Sequence, residues 1–264
     1  MRGSWVSCVL LGLTSSGCLM AGNYHSARTL EKGTSAIGMN FSMTRYTTVD
    51  QTTGEQDSVA LPNVIPEVTY HTGITDDLEM GGRVAPGSLG VEFDVKYRFL
   101  RTDALHLAIA PAVGYQAAIV FDATSVKLPL VATFDLADNF SLNAAIFAGT
   151  ADFRDVDDDF DMFHGTLAHT GASLGIEIRG ETFVMRPAVE WTEYVADFRG
   201  GAFEEFRTFN VVVHFAGISG REKKQLNRME RKLDRVIDNT EGRPHDPNEP
   251  PPTDDSNYPS TPMK

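Results

Sequence analysis

The stretch GVEFDVKYRFL, residues 90–100, decides the fold. Val91, Phe93, Val95, Tyr97 and Phe99 are apolar or aromatic, whereas Glu92, Asp94, Lys96 and Arg98 between them each carry a full charge. Successive side chains of an extended strand point to opposite faces, so one face of this segment is greasy and the other ionic. Nine further runs share the period of two, at 37–44, 64–71, 78–84, 105–115, 125–135, 140–149, 173–179, 183–191 and 208–215. Alternating runs bounded by turn chemistry predict β-strands, ten in all.

The connections come in two kinds. GITDD, LRTDA, DLADN and RGE are tight, while the links at 47–60, 117–124, 151–164 and 195–204 are longer and polar. The link APGS is short but falls in the second set. The two kinds strictly alternate, the layout of an outer-membrane barrel with short periplasmic turns and longer external loops. An even strand count leaves both termini on the periplasmic side.

Alternation alone does not say which face points inward. A soluble barrel would put Phe93 and Tyr97 inside and the charges outside. Size favours the opposite choice. The face opposite the large apolar residues holds Gly38, Ser42, Ala108, Ala110, Ala112, Gly114, Ala145, Ser173 and Gly175, and a narrow lumen needs small residues. The charges Glu92, Asp94, Lys96 and Arg98 then face the lumen. There they are expected to pair with Glu67, Arg83, Lys127, Glu177, Arg179, Arg186 and Glu190, because unpaired buried charge is costly. Aromatic girdles fall near the ends of the apolar face. Tyr70, Phe99, Phe140, Phe183 and Phe215 lie near the tight turns, and Tyr115, Trp191 and Tyr46 near the long links.

The bulk composition agrees. The chain has 264 residues, net charge −13, 23 glycines and 16 phenylalanines. That excess of acid argues against nucleic acid as a partner. A mean hydropathy of −0.19, with no run of about 18 apolar residues after the leader, excludes a helical membrane protein. It leaves a membrane β-barrel open, since barrel strands alternate.

Arg2 and the apolar run 5–13 read as an export signal. LTSSGC resembles a bacterial lipoprotein signal over residues 1–17, with Cys18 as the acylated first mature residue. Ser15 departs from that motif, which usually has leucine there, and cleavage after Ala21 is the alternative. Cys8 and Cys18 are the only cysteines, so the mature chain is expected to lack a disulfide. Residues 18–32 are expected to form a periplasmic linker and 33–217 the barrel. Residues 221–239, with Leu226, Met229, Leu233 and Val236 in 3-4-3 spacing, predict a helix within 219–240. It would either lie against the barrel mouth or mediate self-association. The Pro-rich acidic stretch 241–264 predicts a disordered tail.

YHSARTLEKGTSAIGMNFS, IPEVTYHTGITDDLEMGGRV and the closing FNVVVHFAG resemble a loose class of small Gram-negative outer-membrane β-barrel proteins, over residues 23–217. The resemblance implies outer-membrane lipid and the barrel-assembly machinery as partners, and it assigns no activity. The fold expected is therefore all-β: one antiparallel up-and-down transmembrane barrel of about ten strands, followed by a short helix and a tail.

Sites of chemistry are sparse. Asp152, Asp155, Asp157, Asp158, Asp159 and Asp161 cluster in one link, and calcium favours clustered carboxylates. The spacing is not that of an EF-hand, and a solvated acidic loop explains it as well. His71, His106 and His214 share inward parity near the tight-turn ends and are expected to make separate lumen hydrogen bonds rather than a metal site or a pH gate. His164, His169, Asp161 and Ser125 near the opposite rim are the residues a hydrolase would use, but no nucleophile motif accompanies them. No cofactor is expected. The function expected is a structural or interaction role, or narrow-pore passage. The alternatives are an outer-rim hydrolase acting on lipid or peptide, and a soluble periplasmic ligand-binding barrel.

Overall fold

The computed structural model describes residues 26–49, 56–63, 65–117, 121–155, 165–198, 204–220 and 232. The chain divides into two units, Met1–Arg221 and Glu222–Lys264, and the first holds every described strand. Their bounds are β1 Ser35–Val49, β2 Gln56–Pro62, β3 Glu67–Gly73, β4 Leu78–Ala85, β5 Gly90–Arg101 and β6 Leu105–Ile109. The second half comprises β7 Ala112–Ala117, β8 Phe121–Ala137, β9 Phe140–Asp155, β10 Gly165–Arg179, β11 Phe183–Phe198 and β12 Glu204–Ser219.

These segments make ten staves. β2 and β3 occupy successive stretches alongside β1, and β6 and β7 share the place between β5 and β8. Both interruptions fall at proline, which has no N–H for the ladder. Pro62 and Pro66 bracket the first, and Pro111 sits in the second. All pairings are antiparallel, and β1 pairs with β12, so the barrel is closed.

The register fixes its geometry. From Thr48 on β1, successive partners run through Phe206, Tyr194, His169, Gly149, Lys127, Ala112, Asp94, Gly81 and His71. The circuit returns to β1 at Ala36, twelve residues from its start. Ten staves with that stagger tilt by about 40° from the barrel axis.

Along the middle of the wall the large apolar side chains point outward. Ile37, Met39, Phe41, Val91, Phe93, Val113, Leu128, Ile146, Leu174, Val189 and Val211 are all exposed on the outer wall. A contiguous apolar exterior of this extent is not what water solvates around a monomer. It matches the lipid-facing band of a membrane barrel, and the soluble barrel with an apolar lumen has its faces reversed.

Three expectations are corrected. The links at 47–60, 117–124, 151–164 and 195–204 are shorter than alternation indicates, because β1, β8, β9, β11 and β12 extend into them. Above the apolar band the outward residues become polar, as in the Glu193–Arg207 ion pair at 3.0 Å between β11 and β12. Backbone pairing continues there without a greasy face to reveal it. Tyr46 has inward parity and is half-buried, so it belongs to no outer girdle. The third concerns 18–32. Its described part does not hang free as a linker, since residues 26–34 enter the barrel at the tight-turn end, where Ser26 and Ala27 are wholly buried.

The helix expected at 219–240 lies outside the described residues except for positions 219, 220 and 232. Ser219 closes β12, and Gly220 adopts the left-handed backbone with φ 93°. Cys18, residues 157–161 and 241–264 also lie outside the described residues.

Candidate functional site

Among the described residues, charge gathers in the lumen. Glu67, Glu79, Arg83, Glu92, Asp94, Lys96, Arg98, Lys127, Glu177 and Glu190 are buried there, and Arg179 and Arg186 are mostly covered. Each occupies an inward position on its strand, so the period of two that makes the outside apolar makes the inside ionic.

The charges are organised in chains across neighbouring staves. Arg83 on β4 donates to Glu67 on β3 at 3.2 Å and to Glu92 on β5 at 3.1 Å. Lys127 on β8 reaches the same Glu92 at 3.4 Å, and Asn40 donates to Glu67 at 3.1 Å. Lys96 pairs with Glu79 at 2.9 Å. Arg186 and Arg179 both donate to Glu177, at 2.6 and 2.5 Å. Mutual pairing of this kind offsets the desolvation that each ion suffers.

Two predicted lumen residues find partners of another kind. Arg98 lies at the tight-turn end and pairs with Asp77 of the β3–β4 turn at 2.7 Å. Glu190 accepts from Asn210 at 3.2 Å and from Thr192 at 3.4 Å. Glu79, Asp77, Asp135 and Arg28 were missed as members of this network. Glu79 carried the signal, being an inward charge in a run already read as a strand. Arg28 carried none, since it precedes the first strand.

The three histidines do not converge. His71 bonds Asp94 at 3.0 Å, His106 bonds Asp135 at 2.9 Å, and His214 bonds Thr69 and Arg186 at 3.3 and 3.2 Å. Among the described residues no group of three His, Cys, Asp or Glu side chains is placed to hold a metal.

The N-terminal segment closes the tight-turn end. The Ala27 N–H donates to Thr133 Oγ1 at 2.8 Å, and Ser26 Oγ meets the same hydroxyl at 3.2 Å. Arg28 pairs with Asp135. The Leu30 N–H donates to Glu79 at 2.7 Å, and Thr29 donates to the Asp76 carbonyl. Ala27 packs on Ala108, Val131 and Ala145. Gly73 makes room for this segment, because a Cβ there would lie 2.3 Å from the Glu31 carbonyl oxygen.

At the opposite end the inward face turns aromatic. His169 lies between the rings of Phe147 and Tyr194, with centroids at 6.2 and 5.8 Å, and Tyr194 stacks on Phe206 at 4.5 Å. Ser125 and His169 line one small cavity together with Glu92, Gln116 and Lys127. His164 and Asp161 lie outside the described residues. Of the girdle residues, Tyr70, Phe99, Phe183, Phe215, Tyr115 and Trp191 are exposed on the outer wall, and Phe140 is half-buried. Phe183 and Trp191 share β11 eight residues apart, about 20 Å along a barrel axis tilted by this stagger.

No family model matches the chain, and no curated protein matches it. Among solved structures it is similar to Ail, the attachment invasion locus protein of Yersinia pestis, at 11% identity and a TM-score of 0.33, covering 71% of this chain and 99% of that one. It is similar to the outer membrane protease OmpT of Escherichia coli at 9% identity and 0.38, covering 73% and 99%. It is also similar to the translocator domain of the autotransporter NalP of Neisseria meningitidis at 9% and 0.41, covering 81% and 95%. At these identities and scores the likeness says nothing about activity or partner.

Proposed function

We propose that the chain is an integral protein of the Gram-negative outer membrane whose barrel is closed to passage, with a structural or interaction role carried by its ends. Both termini lie on the periplasmic side, Cys18 carries the lipid, and the C-terminal helix and tail reach periplasmic partners or a second copy.

The observation that carries the reading is the filled lumen. Ala27 is 0% exposed inside the barrel, and ion pairs join β3, β4, β5 and β8 across the middle. Among the described residues, cavities along the lumen measure about 30 to 40 Å³ each, room for a few waters. A staged barrel of ten strands with so many inward side chains leaves little free section. Purified protein in planar bilayers is expected to give no stepwise conductance while its unboiled gel band runs compact. Regular steps that change size in Arg98→Gln or Glu92→Gln would replace this reading with a narrow pore.

A rim hydrolase has one observation in its favour, the cavity shared by Ser125 and His169. It requires ester or peptide hydrolysis that disappears in His169→Ala or His164→Ala protein that still folds.

A further inference from the structure

We propose that the tight-turn end of the lumen holds a site for a small oxyanion, formed by Arg28, Arg179 and Arg186. Arg179 and Arg186 project inward from β10 and β11 onto the single carboxylate of Glu177. Arg28 comes from the N-terminal segment and pairs with Asp135, which also serves His106. All three guanidiniums lie within electrostatic reach of Glu177. Three fixed positive charges therefore share two carboxylates.

Two acids facing the same part of the lumen have partners of their own. Glu79 is matched by Lys96 at 2.9 Å, and Asp94 faces His71 at 3.0 Å. The Nε groups of Arg28 and Arg179 are buried with no hydrogen-bond partner. Buried N–H groups of a charged side chain left in this state are costly.

The geometry supplies a place for the partner. Arg28, Arg179 and Arg186 line one cavity of about 40 Å³ together with Thr69, His71, His214 and one carboxylate, Glu79, which Lys96 neutralises at 2.9 Å. That space suits a few waters or one small ion and excludes a sugar or nucleotide. The planar fork of guanidinium N–H donors matches the oxygens of phosphate, sulfate or carboxylate. Two of the arginines belong to the wall and one to the inserted segment. A bound oxyanion thus ties residues 26–34 to the barrel as well as satisfying the charge.

The test uses full-length protein in neutral detergent. The temperature at which the compact unboiled band converts to the unfolded band is read against inorganic phosphate, with chloride replacing it at constant ionic strength. A saturable rise of several degrees with phosphate, absent with chloride, is expected. It is lost in Arg179→Gln and Arg28→Gln and kept in Arg45→Gln, a change at the exposed opposite rim. An equal response to chloride, or a full phosphate response in both Arg28→Gln and Arg179→Gln, overturns the site. If Arg179→Gln fails to form the compact band, Arg28→Gln decides alone, since it leaves the wall intact. Phosphorus NMR of an organic extract of the purified protein separates the sources. About one phosphodiester per chain, lost in Arg28→Gln, identifies a lipid headgroup, whereas a phosphate response without that signal identifies the free anion. Absence of both the phosphodiester signal and the phosphate response overturns the proposal.

Discussion

The Ala27 N–H and the Thr133 hydroxyl oxygen are 2.8 Å apart, joined through the barrel interior although 106 positions separate them in the chain. Ala27 sits against Ala108, Val131 and Ala145, so the small residues of β6, β8 and β9 form the seat of an inserted segment. Ala108→Phe fills that seat. Overpacking of this kind costs about 1–3 kcal/mol, and the segment, held mainly by hydrogen bonds each worth about 1 kcal/mol, is expected to leave first. Trypsin would then cut after Arg28 in folded Ala108→Phe protein and spare that bond in the parent. Equal resistance in both would show that the segment is held by something other than this seat.

Glu92 is the hub of the central ion-pair chain, accepting from Arg83 at 3.1 Å and facing Lys127 at 3.4 Å. Glu92→Gln leaves two buried cations with one carboxylate fewer. Removing one partner of a buried pair costs about 3–5 kcal/mol, and the urea midpoint of the compact band should fall accordingly. Adding Lys127→Met removes one of the stranded charges and should restore part of the loss. A double variant less stable than Glu92→Gln would mean that Lys127 is bound mainly to other groups.

Leu128 and Thr124 lie on the outward face of β8, Leu128 within the apolar band and 56% exposed, Thr124 four residues nearer the long-link end. An arginine near the bilayer midplane costs about 2–4 kcal/mol, and about 0–1 near an interface. Leu128→Arg should therefore reduce the yield of protein folded into liposomes far more than Thr124→Arg. Equal yields would place the hydrocarbon boundary elsewhere on this wall.

The sequence carried the wall and half of the lumen. Period-two alternation placed Glu92, Asp94, Lys96 and Arg98 inward, because the pleat leaves no choice once Phe93 and Tyr97 face outward. Strand ends beyond the apolar band were invisible. Residues such as Glu193 and Arg207 pair across the ladder with polar side chains on the outward face. Partner identity was equally hidden, as it depends on stagger between strands. Nothing local says that Lys127 meets Glu92 or that Arg28, ahead of the first strand, meets Asp135. The small residues read as the fit of a narrow lumen also turned out to seat an inserted segment.

Gly81 shows how one missing side chain connects two distant ones. It lies on β4 between His71 on β3 and Asp94 on β5, registered with both. The imidazole crosses over it to bond Asp94 at 3.0 Å, and a Cβ at position 81 would lie 1.7 Å from His71 Cδ2. Gly81→Ala must therefore push the ring off Asp94, leaving a buried carboxylate short of a partner at a cost of about 1–3 kcal/mol. His71→Ala loses the same hydrogen bond by another route. If both act on this one contact, Gly81→Ala adds little in the His71→Ala background, and the double-variant cycle shows a coupling of about 1 kcal/mol or more. The urea midpoint of the compact band measures all four proteins. Additive losses would mean that Gly81 is required by the strand backbone and not by the histidine crossing it.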